Sequence, residues 1–292
     1  MKSTLRTKKL VECALMVAVG TVLSLFSVVQ MPYGGSVTPA AMLPVILIAY
    51  RHGIGWGLGS GAVFAAVQQL LGLNNLSYFT TWQSVVAVIL LDYLVAFGVM
   101  GLGGVFRRTT KRQENALALG ALLVTVLRYL CHVVSGATVW AGLSIPTEAA
   151  LLYSVGYNAT YMIPEGIVLI LAAYYLGTLL DFRRELPVRR TDRESGSRAA
   201  DLLSAAAGLL CVGGVAADAV LIFAHLQNEN GEFDFSGLSV DRFVGSFWMG
   251  VTVLTAVTVI GVAVLMAMRK RLLKRDNARK EAVFGKSSDS DF

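Results

Sequence analysis

Polar and ionisable side chains occur inside three strongly apolar stretches of the chain, which read LLDYLVAF, LRYLCHVVSGATVWAG and YSVGYNATYMIPEG. An ionisable group in hydrocarbon is costly, so each is a candidate functional residue, with a structural ion pair as the common alternative. Together they offer negative charge, hydrogen bonds and aromatic faces. In chain order they are Asp92, Tyr93, Arg128, His132, Trp140, Tyr153, Tyr157, Asn158 and Glu165.

Helical spacing arranges the residues of the second stretch. At 3.6 residues per turn, His132, Gly136 and Trp140 share one broad side of a helix, and the imidazole lies about 12 Å along the axis from the indole. Gly136 leaves room between the two rings. This helix therefore presents a nitrogen ligand and an aromatic face to the same neighbourhood.

The third stretch presents aromatic and amide groups together. Tyr153, Tyr157 and Tyr161 form a row at intervals of four residues, which places them on one helical face. Asn158 and Glu165 share a second face, because they are seven residues apart.

These groups suit a flat, cationic, nitrogen-rich heterocycle. Aromatic faces attract a positively charged nitrogen by about 2 kcal/mol when the pair is desolvated. An amino-substituted ring also needs donors and acceptors, such as Asp92 and Asn158, because unpaired buried polar groups are costly. Thiamine fits this description, and so do choline-like and other aromatic cations.

Structural interpretations compete with this one. Arg128 pairs with a carboxylate, either Asp92 or Glu165, or bonds the carbonyls of a helix end. His132 alone is typical of a hydrogen-bonded interior histidine, and Trp140 is equally typical of the aromatic belt at a membrane interface. Asp218, in a later apolar stretch, has no obvious partner in the sequence.

The elements that position these residues are membrane helices. Apolar residues make up 55% of the chain and charged residues 15%, whereas soluble domains carry about 25% charged residues. A helix needs about 20 mainly apolar residues to cross a bilayer, and the second candidate is shorter than this. The sequence predicts an all-α membrane protein with helices at 10–29, 38–50, 54–73, 83–105, 115–140, 149–180, 200–226 and 243–268.

The distribution of basic residues predicts the orientation. Every Lys and Arg except Arg128 and Arg242 lies in the two termini or in the loops on the same side of the membrane. Cytoplasmic loops collect basic residues, so we expect a multi-pass protein of the cell membrane with both termini in the cytoplasm. The opposite loops at 30–40, 74–82 and 141–148 contain no basic residue and permit a cationic ligand.

A composition change divides the chain. The arginine-rich segment 183–198 is polar and separates a six-helix unit, residues 1–182, from a two-helix transmembrane appendix, residues 199–268. The tail 269–292 is basic and then ends in KSSDSDF, so we expect it to be disordered and to contact lipid headgroups.

Several function classes have no support in the sequence. The basic residues flank apolar segments and form no aromatic-interleaved stripe, so nucleic acid is not an expected partner. The chain has no paired Cys or His at metal spacing, no hydrolytic motif and no phosphate-binding loop, so we expect no metal, no cofactor and no enzymatic activity. The glycines at 53, 55, 57, 59 and 61 indicate close helix packing.

Four segments carry a family resemblance. MPYGGSVTPAAMLPV (31–45), LLDYLVAFGVMGLGGVF (90–106), LRYLCHVVSGATVWAG (127–142) and YSVGYNATYMIPEG (153–166) resemble, in order, the thiamine-specific S component of energy-coupling factor (ECF) vitamin transporters. The resemblance covers residues 8–180 and implies a six-helix subunit with an outward-facing thiamine pocket. It implies the ligand-binding residues Asp92, Tyr93, His132, Trp140, Tyr153, Asn158 and, in the loop after the first helix, Tyr33.

The resemblance also implies partners. Such subunits deliver their ligand by docking with a transmembrane coupling subunit and two ATPase subunits, and Ala14 and Ala18 match the small-residue surface used for docking. Alternatives are the same fold serving another vitamin or a pyrimidine, an intramembrane enzyme with Asp92, His132 and Glu165 as acid-base groups, and an assembly protein whose buried charges merely pair.

Overall fold

The computed structural model describes residues 2–31, 34–78, 81–142, 147–190, 198–225 and 246–288. The chain forms two compact units, Met1–Val188 and Arg189–Phe292. Almost all regular structure is helical, and the strands are only two residues long. The predicted fold class, an all-α membrane protein with a six-helix unit followed by two further helices, is confirmed.

The first unit contains six helical segments. They are α1 (Lys2–Leu25), α2 (Leu43–His52), α3 (Ile54–Leu71), α4 (Trp82–Arg107), α5 (Gln113–Gly142) and α6 (Thr147–Leu179). A hairpin of β1 (Val29–Gln30) and β2 (Ser36–Val37) follows α1, and Val29 pairs with Val37 in an antiparallel register. A 3₁₀ helix (Leu73–Tyr78) follows α3, and β3 (Leu180–Asp181) and β4 (Val188–Arg189) follow α6.

Six helices of the described chain are long and apolar enough to span a membrane, and α1 and α2 are not among them. Contrary to the prediction of eight spanning helices, α2 is too short to span, while α1 is long enough but too polar in its first half to meet the hydropathy criterion. In α1, Lys8, Lys9 and Glu12 interrupt the first half, so the uninterrupted apolar run begins only at Cys13. Helix α2 has 10 residues and a length of about 15 Å, half of the hydrocarbon thickness.

The short helix α2 forms the centre of the first unit. Val45, Ile46, Ile48 and Tyr50 are all fully buried, so every side of this helix contacts protein. Proline at its first turn suits the helix start, where no intrahelical donor is needed. Gly53 then separates α2 from α3 in the left-handed region, with φ 97°, a conformation that glycine adopts without steric cost.

Arg51, a buried arginine near the end of α2, bonds both α1 and the segment that follows α6. Arg51 forms an ion pair with Glu12 of α1, and its guanidinium also donates to the backbone carbonyls of Phe182 and Glu185 at 3.0 and 2.9 Å. His52 lies 2.9 Å from the same Glu12 carboxylate. The middle of α1 and the segment after α6 are thus both held by the end of α2.

The second unit contains α7 (Arg198–His225) and α8 (Ser246–Ser288), which pack against each other. Gly214 permits this approach, because a Cβ there would lie 2.4 Å from the Thr258 side chain. Thr255 donates a hydrogen bond of 2.7 Å to Asp218. The sequence had left Asp218 without a partner, and the structure provides one across the helix pair.

Helix α8 extends beyond the predicted transmembrane segment. Its backbone is helical as far as Ser288, within the predicted tail 269–292. Residues such as Arg, Lys, Leu and Ala are good helix formers. Extending an existing helix requires no new nucleus, so this polar segment can remain helical without burying an apolar face.

The glycine run of α3 yields a stability prediction. A Cβ on Gly57 would lie 2.5 Å from Ala49 Cβ and 2.9 Å from the backbone of Gly101, whereas a Cβ on Gly59 would meet nothing within 4 Å. Overpacking of this kind costs about 1–3 kcal/mol. We expect Gly57→Ala to lower the thermal unfolding midpoint of the purified protein and Gly59→Ala, the matched control, to leave it unchanged. Equal midpoints for the two variants would contradict this packing.

Candidate ligand-binding site

A cavity of about 260 Å³ lies within the first unit. Its walls come from the end of α1, the β1–β2 hairpin and the segment after it, and from α3, α4, α5 and α6. The volume is close to the lower end, about 300 Å³, of the range for small-molecule sites. Four of the predicted ligand-binding residues line it: Asp92, Tyr93, His132 and Asn158.

Helix α4 is irregular where it meets the cavity. Residues Val88–Val95 are π-helical and the segment Val99–Arg107 is 3₁₀-helical. Short π-helical segments are frequent at functional sites because the extra residue rotates neighbouring side chains. Asp92 and Tyr93 lie within the π-helical segment and line the cavity together, although adjacent residues of a regular α-helix point about 100° apart.

A chain of polar contacts beside the cavity connects α4 with α5. Asp92 Oδ1 lies 2.9 Å from His132 Nδ1, and His132 Nε2 lies 3.4 Å from Arg128 Nη2. His132 is 8% exposed and Arg128 5% exposed. An imidazole with partners on both nitrogens is held in one orientation, so the Asp92 carboxylate is held in position as well.

The same chain continues from α5 to α6 and to the segment after the hairpin. Arg128 Nη1 lies 3.3 Å from Glu165 Oε2, and Thr38 Oγ1 donates to Glu165 Oε1 at 2.7 Å. Both Thr38 and Glu165 are 4% exposed. The ion-pair partner of Arg128 is therefore Glu165, one of the two carboxylates that the sequence left open.

Arg128 has two further contacts that the sequence did not indicate. Its guanidinium carbon lies 4.7 Å from the centre of the Phe97 ring, a distance at which the ring face attracts the cation. Its Nη1 also contacts the Met42 sulfur. Its Nε, by contrast, has no hydrogen-bond partner among the described residues.

The amide of Asn158 is engaged within the protein. Its Nδ2 donates to the Ser154 carbonyl at 2.9 Å and to the His132 carbonyl at 3.2 Å. Its Oδ1 accepts a bond of 2.7 Å from the Tyr161 hydroxyl. An amide has two donor hydrogens and two acceptor lone pairs, so a ligand in the cavity meets chiefly the remaining lone pair of Oδ1.

The hairpin closes one side of the cavity against the tyrosines of α6. The Tyr157 hydroxyl donates to the Gly34 carbonyl at 3.0 Å. Gly35 has φ 95°, and a Cβ there would lie 2.7 Å from the Tyr161 ring. Only glycine fits this position without strain. Any other residue would be strained at this φ, and its Cβ would clash with the Tyr161 ring.

The remaining predicted residues fall outside the cavity or outside the described residues. Tyr153 stacks on Tyr157, with ring centres 6.3 Å apart, and is not among the described lining residues. Tyr33 and the side chain of Trp140 lie outside the described residues. Ala14 and Ala18 are exposed on α1, four residues apart.

Other lining residues were missed by the sequence analysis. Ser24 and Gln68 bond each other at 2.8 Å across α1 and α3, and Phe64 packs edge-on against Phe97. Serine and phenylalanine are common in membrane helices, so no local signal distinguishes these from packing residues. No group of three or more metal-ligating side chains occurs in the described part of the chain.

Comparison with known proteins gives consistent results. The model of the thiamine transporter protein family matches residues 10–181. The thiamine transporter ThiT of Bacillus subtilis is 34% identical over 171 residues, which are 55% of this chain and 85% of that protein. The solved structure of ThiT from Listeria monocytogenes is 20% identical, with a TM-score of 0.44, and covers 57% of this chain and 94% of that one.

The matched region covers most of α1 and all of α2 to α6, and it contains all four motifs on which the resemblance rested. That resemblance is confirmed, and the relatives are transport proteins rather than enzymes. The chain belongs to the thiamine transporter protein family and is a multi-pass membrane protein of that family.

Proposed function

We propose that the first unit is the S component of an ECF importer and that it binds thiamine in the cavity of Asp92 and His132. It delivers the vitamin by docking with a coupling subunit driven by two ATPase subunits. One observation carries the choice of ligand. The described lining residues place two carboxylates against a single guanidinium, next to aromatic rings, which favours a positively charged aromatic guest.

The parts of thiamine match the groups around the cavity. The thiazolium ring carries the positive charge and meets the Asp92 carboxylate and the aromatic rings. The aminopyrimidine ring donates from its amino group to the acceptors that remain at Asp92 and Asn158. Tyr33 and Trp140, assigned to the site by the family resemblance, complete the aromatic cage, while Tyr153 supports Tyr157 from behind.

The charge pattern supports an outward-facing site. The cavity is lined by Ser24, near the end of α1, which is 22 residues and about 33 Å of helix from Lys2. The basic termini and loops belong in the cytoplasm. The cavity therefore lies in the outer half of the membrane, and the Arg51 cluster lies in the cytoplasmic half.

Thiamine titration tests the proposed ligand directly. Ligand at 100 times its Kd stabilises a protein by about 2.7 kcal/mol, so submicromolar thiamine is expected to raise the thermal midpoint and quench emission from the four tryptophans. Two controls separate the parts of the ligand. The neutral 4-amino-5-hydroxymethyl-2-methylpyrimidine lacks the cation, and choline lacks the heterocycle. Both are expected to bind at least tenfold more weakly, since each loses about 1.4 kcal/mol or more.

The same titration separates the alternatives. Equal affinity for the neutral pyrimidine would identify a pyrimidine carrier with this fold, and no response to thiamine would contradict the proposed ligand.

A carboxylate substitution tests the role of the cavity's charge. Asp92→Asn keeps the shape of the side chain and removes the negative charge, and we expect thiamine affinity to fall by about 1.5–3 kcal/mol, the range for hydrogen bonds to charged groups. The matched control is Asp218→Asn, which changes the other membrane-embedded aspartate, at Thr255 in the second unit. Calorimetric titration is expected to show unchanged affinity for the control, and equal losses would contradict the site.

Docking is tested separately from binding. Ala14 and Ala18 are exposed on α1, and small residues four apart allow close helix approach. We expect Ala14→Trp to abolish thiamine uptake by cells and copurification with the coupling subunit, while the purified variant keeps its thiamine affinity. Ala66→Trp, at an exposed alanine of α3, is the matched control. Full uptake by the Ala14 variant would contradict docking through α1.

A further inference from the structure

The buried cluster defines where the protons lie on His132. Arg128 has only donors, so the contact between its Nη2 and His132 Nε2 at 3.4 Å requires that Nε2 accept. The hydrogen of the imidazole is then on Nδ1, which donates to Asp92 Oδ1 at 2.9 Å. The contacts are mutually consistent only for a neutral ring with its hydrogen on Nδ1.

Arg128 is itself held by contacts from two other helices. Glu165 of α6 pairs with its Nη1, and the Phe97 ring of α4 lies against its guanidinium. Thr38, after the hairpin, orients Glu165 through the hydrogen bond of 2.7 Å. These contacts hold the buried guanidinium beside the imidazole.

The charges of the cluster then follow. Arg128 and Glu165 compensate each other, and His132 is neutral, so the Asp92 carboxylate is the uncompensated charge among the described lining residues. A hydrogen on Nε2 would point at the donating Nη2 of Arg128, 3.4 Å away. This contact therefore disfavours every form of His132 that carries a hydrogen on Nε2.

We propose that Arg128 is a positioning residue of the site, which fixes His132 as the neutral tautomer with its hydrogen on Nδ1 and so reserves the negative charge of Asp92 for a monocationic ligand. The inference deepens the proposed function and rests on it for the identity of the ligand. In this role Arg128 acts on the ligand through His132 and Asp92. The tautomer itself is a property of the ligand-free protein.

Nuclear magnetic resonance of the full chain in lipid bilayers tests the tautomer directly. The chain has three histidines, so ¹⁵N-histidine labelling gives three pairs of imidazole nitrogen signals, and His132→Gln identifies the relevant pair. At pH 7 and without ligand, the His132 signal is expected to show a protonated Nδ1 and an unprotonated Nε2. A hydrogen on Nε2, or an imidazolium, would overturn the proposal.

Substitution of the arginine tests its role. In Arg128→Gln the shorter side chain withdraws from Nε2, and we expect His132 to become a mixture of tautomers and imidazolium. Thiamine affinity is expected to fall about tenfold or more, as for the loss of a charge-assisted hydrogen bond. An unchanged imidazole signal with unchanged affinity would show that Arg128 has only a structural role.

Two further variants keep the test decisive. Arg51→Gln is the matched control, because Arg51 is also buried and paired with a carboxylate beside a histidine. It is expected to lower stability and to leave both the His132 signal and thiamine affinity unchanged.

If Arg128→Gln fails to fold, a double variant replaces it. Arg128→Met combined with Glu165→Met removes the ion pair as a unit, a replacement that proteins often tolerate, and the same loss of the Nδ1 tautomer is expected.

The outcomes for ligand and tautomer are separable. If the wild-type protein shows the Nδ1 hydrogen but ignores thiamine, the proposed ligand is wrong and the positioning role stands. If it binds thiamine but the Arg128 variants keep the wild-type imidazole signal, the positioning role is wrong and the proposed ligand stands.

Discussion

The candidate site depends on the contacts that stabilise the Asp92 carboxylate within the membrane. An isolated ion in a low-dielectric medium is so costly that it neutralises instead, unless partners stabilise its charge. Here the partners form one chain of contacts, in which Asp92 bonds His132, His132 bonds Arg128, and Arg128 pairs with Glu165. Each group along this chain is held by its neighbour, and the Asp92 carboxylate lies at the end that borders the cavity.

The backbone of α4 is irregular where it borders the cavity. Within a membrane, non-helical hydrogen bonding is tolerated only where the backbone is buried in protein or lines a cavity. The π-helical turn at Val88–Val95 lies at such a place, and it directs both Asp92 and Tyr93 to the cavity. The same helix then becomes 3₁₀-helical, and Gly101 and Gly104 there approach α3 and α2 so closely that any Cβ would clash.

The sequence was sufficient for the long helices and for four of the residues that line the cavity, but not for the contacts. Hydropathy locates long apolar segments such as α5 and α6, because their burial in lipid depends on composition alone. It misjudges α2, whose apolar residues are equally hydrophobic but are covered by protein rather than lipid. Helical spacing placed His132 and Gly136 on one side of α5, and both line the cavity. The sequence could not choose between Asp92 and Glu165 as the partner of Arg128, since that choice depends on how three helices rotate against one another.

Asn158 shows the same limit at the level of a single side chain. Its type and position predicted an amide available to a ligand, whereas Ser154, His132 and Tyr161 use most of its hydrogen-bonding capacity. These partners arise because Gly136 lets α5 approach α6 so closely that a Cβ would lie 2.3 Å from the Ser154 hydroxyl. Pattern reasoning identifies which residues meet at a site, but close packing decides which of their atoms remain for the ligand.

The two membrane-embedded aspartates show why burial alone does not define a site. Asp218 accepts a hydrogen bond from Thr255 on the helix it packs against, so a short local contact accounts for its place between α7 and α8. Asp92 instead bonds an imidazole whose second nitrogen is occupied by an arginine, and its carboxylate borders a cavity. The second oxygen of Asp218 has no hydrogen-bond partner among the described residues, so hydrogen bonding alone does not separate the two carboxylates either. They differ in their surroundings, because Asp92 borders a cavity and belongs to a chain of contacts that connects α4, α5 and α6.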